Sequence, residues 1–154
     1  MTEAGSTMPD IPMETPDGGT VKASDFKGQK LVLFFYPKDN TPGCTNEAKD
    51  FSALKADFEK AGATILGISK CSPKKHQNFI AKHDLTVALA TDAEEGGLSD
   101  ELGIWTEKKM YGKTYMGMVR TTYLVDESGK IAQVWPKVNV KGHAAEVLEA
   151  AQAL

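Results

Sequence analysis

The run Leu31-Val-Leu-Phe-Phe-Tyr36, halted by Pro37, constrains this chain more than any other stretch. An unbroken apolar segment of strand length, without the alternation that leaves one face wet, suits a central strand buried on both faces. Such a strand needs helices above and below it, and the sequence supplies the first at once. From Thr45 to about Ala61, the residues Ala48, Phe51, Leu54, Phe58 and Ala61 recur at steps of three and four, the stripe of an amphipathic helix, which Gly62 ends. Ala63 to Ile68 reads as a second buried strand. Ser72-Pro73 then reads as the N-cap and first position of a helix with Phe79 and Ile80 on its inner side.

Weaker signals complete the pattern. Residues 1–12, with Pro9 and Pro12 among small and polar residues, read as a flexible N-terminal lead-in, and 13–154 as a single domain. Pro16-Asp17-Gly18-Gly19 is turn chemistry within a small hairpin, after which Ser24 is placed to cap one helical turn. Leu85 to Ala90 is a short apolar stretch, Leu98 to Leu102 a short helix, and Thr106 to Gly117 a loop rich in Lys, Tyr and Gly. Thr121–Val125 and Ile131–Trp135 read as a hairpin turned by Asp126-Glu-Ser-Gly129, and His143 to Leu154 as a closing helix. Alternating β and α elements ending in ββα predict an α/β fold, a mixed β-sheet flanked by helices with an N-terminal β-hairpin.

Eighteen basic against twenty-one acidic side chains leave a net charge of −3, too balanced to call for a polyanionic partner, so nucleic acid is not expected. The apolar runs fall short of the ~20 residues that cross a bilayer. The opening MTEAGSTMPDIP also lacks the basic and apolar regions of a signal peptide, so no membrane partner and a cytoplasmic setting are expected. Cys44 and Cys71 form no CxxC or His–Cys cluster, and His76, His83 and His143 are too scattered for a ligand set; each histidine reads as a cap or surface residue, and no metal is expected. Lys74-Lys75 and Lys108-Lys109 read as solvated pairs, and Trp105 and Trp135 as packing or rim residues.

The segment Pro37-Lys-Asp-Asn-Thr41-Pro-Gly-Cys44-Thr-Asn-Glu47 lies where a buried strand gives way to a helix, the usual ligand position of an open α/β sheet. Unpaired N–H groups and the macrodipole at a helix N-terminus favour an anion there, so a first-turn cysteine is a candidate thiolate nucleophile; the plainer alternative is a small buried cysteine. The Thr41 hydroxyl, three residues earlier, can stand beside that sulfur, and Pro37 and Pro42 restrict the loop.

Pro37-x-x-x-Thr41-x-x-Cys44 matches the active-site signature of the peroxiredoxins, and FYPKDNTPGCTNEAKDF resembles the peroxiredoxin Q, or bacterioferritin-comigratory-protein, subfamily. Further similar stretches are Met110–Lys113, Arg120–Asp126 and Val138–His143, so the resemblance spans most of the chain. It implies a thioredoxin-like fold of peroxiredoxin type. It implies Cys44 as peroxidatic cysteine, Thr41 and the N–H groups of Gly43 and Cys44 as peroxide ligands, and Pro37 as a shield. Arg120 would be the guanidinium beside the sulfur, with Glu47 orienting it. Hydrogen peroxide or an organic hydroperoxide would oxidise the Cys44 thiolate to a sulfenic acid, with no metal, flavin or haem cofactor.

The chain departs from the subfamily at both usual places for a resolving cysteine, which here are Lys49 and Ile80. A one-cysteine cycle is therefore expected, with thioredoxin, glutaredoxin or glutathione as external reductant, in a protein the resemblance makes a monomer. Cys71, on the same C-terminal rim of the sheet, is the alternative resolving partner. A non-catalytic redox-sensing module is another alternative, while Thr41 stands where a disulfide oxidoreductase would need the first cysteine of its CxxC.

Overall fold

The computed structural model describes residues 3–154. Its centre is the apolar run: β3 (Lys30–Phe35) pairs in parallel with β4 (Ala63–Ser69) and antiparallel with β8 (Thr121–Val125). Outward lie β5 (Ala88–Thr91), β1 (Met13–Glu14) and β2 (Thr20–Val21) on one side and β9 (Ile131–Trp135) on the other, giving the order β2-β1-β5-β4-β3-β8-β9. Val32, Phe34 and Tyr36 enter one core layer, while Leu31, Leu33 and Phe35 enter the other. That alternation between two apolar layers is why the run has no polar member. Gly67 lies opposite Phe34 because a Cβ there would sit 2.5 Å from the Phe34 ring and 2.7 Å from Leu89.

The first layer is covered by α1 (Pro42–Ala53), α2 (Lys55–Lys60), α3 (Pro73–His83) and α5 (His143–Ala153). The single helix expected from Thr45 to Ala61 is thus two, and it starts three residues early. Thr41 is the extended N-cap and Pro42 the first helical residue, so the Pro-Gly pair opens the helix rather than forming a separate turn. At Leu54 the backbone leaves helical geometry (φ −98°, ψ 3°), and Phe58 restarts one turn later, packed on Phe51. Ser72 caps α3 as expected, accepting the Lys75 N–H at 3.2 Å.

Two expectations are corrected. Thr106 to Gly117 is not a loop but most of a two-stranded sheet, β6 (Trp105–Met110) and β7 (Lys113–Met118), turned by Tyr111 and Gly112, both at positive φ. Ser24 does not cap the 3-10 turn Ala23–Phe26; Lys22 holds that position, its N–H accepted by the Asp25 carboxylate at 3.0 Å. The described start of the chain lies against β9. Gly5 and Met8 donate to the carbonyls of Ile131 and Gly129, Ile131 donates back to Ser6, and Met8 is buried. The reason is that the opening of β9 would otherwise leave backbone groups unpaired. A short α4 (Leu98–Glu101) closes the second layer. No helix among the described residues is long and apolar enough to cross a membrane.

Candidate active site

The strand β3 ends at Phe35 and Tyr36 stays buried, which sets the loop 37–41 on the C-terminal rim of the sheet. Cys44 falls in the first turn of α1, where the N–H groups of Gly43 and Cys44 have no intrahelical acceptor. Its side chain is buried, and the Arg120 Nη2 donates to its sulfur at 3.2 Å. The same guanidinium donates through Nη1 to Glu47 Oε1 at 2.6 Å. Arg120 leads into β8, and its carbonyl accepts the Val138 N–H at 2.8 Å, so a backbone bond fixes the position from which the side chain reaches α1. The approach is close enough that a Cβ on Gly43 would sit 3.2 Å from Nη2.

Burial pushes the Glu47 carboxyl up to about 7, outweighing the attraction of Arg120. Burial pulls the Arg120 guanidinium down, yet the charges of Glu47 and Cys44 raise it above its ordinary value. One Glu47 oxygen, Oε2, has no hydrogen-bond partner. The arrangement leaves a cation pinned between a carboxyl and a sulfur.

Of the residues expected at the site, Cys44, Arg120, Glu47 and Gly43 are brought together. Thr41 borders them, but its hydroxyl donates to the Lys38 carbonyl at 2.9 Å rather than to the sulfur. Pro37 is exposed at the loop's start. Cys71 is buried apart from this set, and its sulfur accepts the Asp39 N–H at 3.3 Å; both cysteines are free thiols. Lys108, read as solvated, is half-buried beside the site: its Nζ donates to the Met118 carbonyl. Burial first, then the charge of Arg120, lowers its pKa.

Residues 4–134 match the AhpC/TSA family. The chain is a peroxiredoxin of that family. It is 44% identical to the putative peroxiredoxin bcp of Coxiella burnetii over 146 residues, covering 95% of this chain and 96% of that one. It is 45% identical to peroxiredoxin Bcp of Bacillus subtilis over 147 residues, 96% and 93% of the two chains. The solved bacterioferritin comigratory protein of Xanthomonas campestris, whose structures were determined to explain its alkyl peroxide reduction activity, superposes with a TM-score of 0.90 at 42% identity, over 97% of this chain and 98% of that one. This peroxiredoxin is therefore a thiol-dependent peroxidase with a thioredoxin-like fold, its substrate a peroxide and its reductant a thiol.

The peroxiredoxin loop is anchored by residues that sequence reasoning passed over. His76 is neither a cap nor a surface residue but is fully buried; its Nδ1 lies 2.6 Å from Asp39 Oδ2, and its Nε2 donates to the Ala90 carbonyl at 3.0 Å. That carbonyl only accepts, so the Nε2 contact is an N–H donation. Tyr36 donates to the other Asp39 oxygen at 2.6 Å, and burial, then Asp39, holds its hydroxyl protonated far above the usual range. His143 is likewise buried, its Nε2 2.8 Å from Thr122 Oγ1, between the rings of Phe51 and Trp135. His83 alone lies at the surface as expected. The spacing could have flagged His76 only through its place on the inner stripe of α3 with Phe79 and Ile80. Breaking the buried pair with His76→Ala should cost about 3–5 kcal/mol, because Asp39 is left buried without its partner. Urea unfolding checks it; a loss under about 1 kcal/mol would show the pair to be marginal.

Proposed function

We propose that this peroxiredoxin reduces hydrogen peroxide and organic hydroperoxides by a one-cysteine cycle at Cys44. The observation that carries the proposal is the single guanidinium that donates to Cys44 Sγ and Glu47 together. Arg120 favours the thiolate and keeps further donors for the peroxide. The Thr41 hydroxyl spends its proton on Lys38, so its lone pairs are free to accept the peroxide O–H, and the N–H groups of Gly43 and Cys44 can donate to a peroxide oxygen. Pro37, at the start of the loop, shields the pocket. The Cys44 sulfur attacks the terminal oxygen, the O–O bond breaks with its electron pair leaving on the distal oxygen, and that oxygen leaves as water or alcohol after gaining a proton. Cys44 becomes a sulfenic acid. The alkyl peroxide activity of the Xanthomonas relative supports the organic substrates.

The sulfenic acid is then resolved from outside, by thioredoxin, glutaredoxin or glutathione. Lys49 and Ile80 hold no thiol, and Cys71 is buried under the Asp39 N–H, engaged in its own contact. The same reading makes the protein a monomer acting in the cytoplasm, where such thiols are maintained. A second reading, Cys71 as resolving thiol, is favoured by its place just after β4, the parallel neighbour of the strand that leads to Cys44. Intact mass after peroxide without reductant separates the two. The one-cysteine cycle predicts added oxygen on Cys44, first one atom and, with excess peroxide, two or three. Loss of two hydrogens together with both free thiols would show that Cys71 resolves.

A further inference from the structure

Two side-chain bridges tie the active-site loop to α3 and leave a hollow between them. At the inner end is the Asp39–His76 contact, and at the outer end Asn40 Oδ1 lies 2.9 Å from His83 Nε2. The two histidines stand two helical turns apart on one side of α3, and the loop arches over the span between them. Beneath it is a cavity of about 270 Å³ lined by Lys38, Asn40, Lys75, Asn78 and Lys82, with buried Phe79 at its wall. Positions 75, 78, 79 and 82 follow the helical repeat, so one face of α3 presents two ammonium groups and an amide while the loop adds a third ammonium and a second amide. Asp39 is the one acidic residue on the lining, and both its oxygens are already engaged, by Tyr36 and His76. The result is a small cleft with a positive field, an apolar wall and unused N–H donors.

A peroxide is neutral and has no use for such a field. We propose that the cleft binds the carboxylates of a small thiol reductant, a compound bearing two or more carboxylates beside its SH, and presents it to oxidised Cys44. This rests on the external-thiol reading above. The cleft is built on residues 38–40, and the same loop continues through Thr41 to the first turn of α1 that carries Cys44. In the first step the reductant's thiolate attacks the Cys44 sulfur, the S–O bond breaks, and hydroxide leaves as water after gaining a proton, giving a mixed disulfide. A second thiolate attacks the reductant's sulfur, which releases Cys44 as thiolate and a symmetrical disulfide; two thiols have supplied the two electrons.

The test uses the full chain oxidised by one equivalent of hydrogen peroxide, with glutathione and uncharged 2-mercaptoethanol as the two reducing probes. In Lys75→Glu/Lys82→Glu the second-order constant for reduction by glutathione should fall roughly tenfold or more and lose its salt dependence. The constant for 2-mercaptoethanol, and the rate at which hydrogen peroxide oxidises Cys44, should change less than about twofold. Lys55→Glu/Lys60→Glu on α2 carries the same net charge and should leave glutathione reduction unchanged. An equal response of both thiols, or of both double variants, overturns the cleft while leaving the one-cysteine cycle standing. A Cys44–Cys71 disulfide found by mass before any thiol is added overturns the cycle itself, and the cleft proposal with it.

Discussion

Cys44→Ser is expected to reduce peroxidase turnover by on the order of 10⁴-fold or more, because a serine hydroxyl offers no comparable nucleophile at neutral pH. Coupled assays with a small thiol as reductant measure it directly. Cys71→Ser should keep most of the activity, since its sulfur only accepts the Asp39 N–H and serine can accept it too. Activity in Cys44→Ser above a tenth of the original would move the nucleophile elsewhere; equal losses in both variants would make Cys71 part of the cycle. Unfolding midpoints on both variants keep a folding defect from being read as lost chemistry.

Arg120→Lys should lower the rate constant for peroxide reduction by about 10²-fold. An ammonium keeps the charge but cannot donate to Cys44 Sγ and Glu47 Oε1 from two nitrogens of one plane. The loss should appear at the peroxide step, seen as slower fluorescence or thiol-loss transients, while reduction of preformed sulfenic acid is much less affected. Wild-type peroxide kinetics in this variant would remove Arg120 from the chemistry. Arg120→Met is the harsher change, because it also leaves the buried Glu47 carboxyl without its cation, and a carboxyl already pushed up to about 7 then has no counter-charge to hold it ionised.

What the sequence made legible follows from which forces leave a periodic trace. The run 31–36 announced a strand buried on both faces, and Ser72-Pro73 announced the start of α3, because burial and capping each act on fixed local spacings. The sheet β6–β7 left no such trace: its residues 111–116 are exposed, so no apolar alternation marks it, and its turn depends on Tyr111 adopting a left-handed backbone that tyrosine seldom takes. Within the candidate site, Thr41, Cys44 and Arg120 are picked out by likeness, whereas the tight approach of the Arg120 guanidinium to Gly43 shows only in the folded chain. The Asp39–His76 pair was invisible for another reason. Its members sit 37 positions apart and meet only because β3 and β4 run in parallel and deliver the loop and α3 to the same rim.

The seven-stranded sheet ends on one side in the two-residue β2, and on the other in β9, whose opening is taken up by the backbone of residues 5–8. A free strand edge is a template: its row of N–H and C=O groups will accept any extended segment that offers the complementary row. Here one edge is too brief to hold a guest and part of the other is already occupied from within. Along this sheet a damaged or partly opened copy therefore finds little on its neighbours to polymerise against.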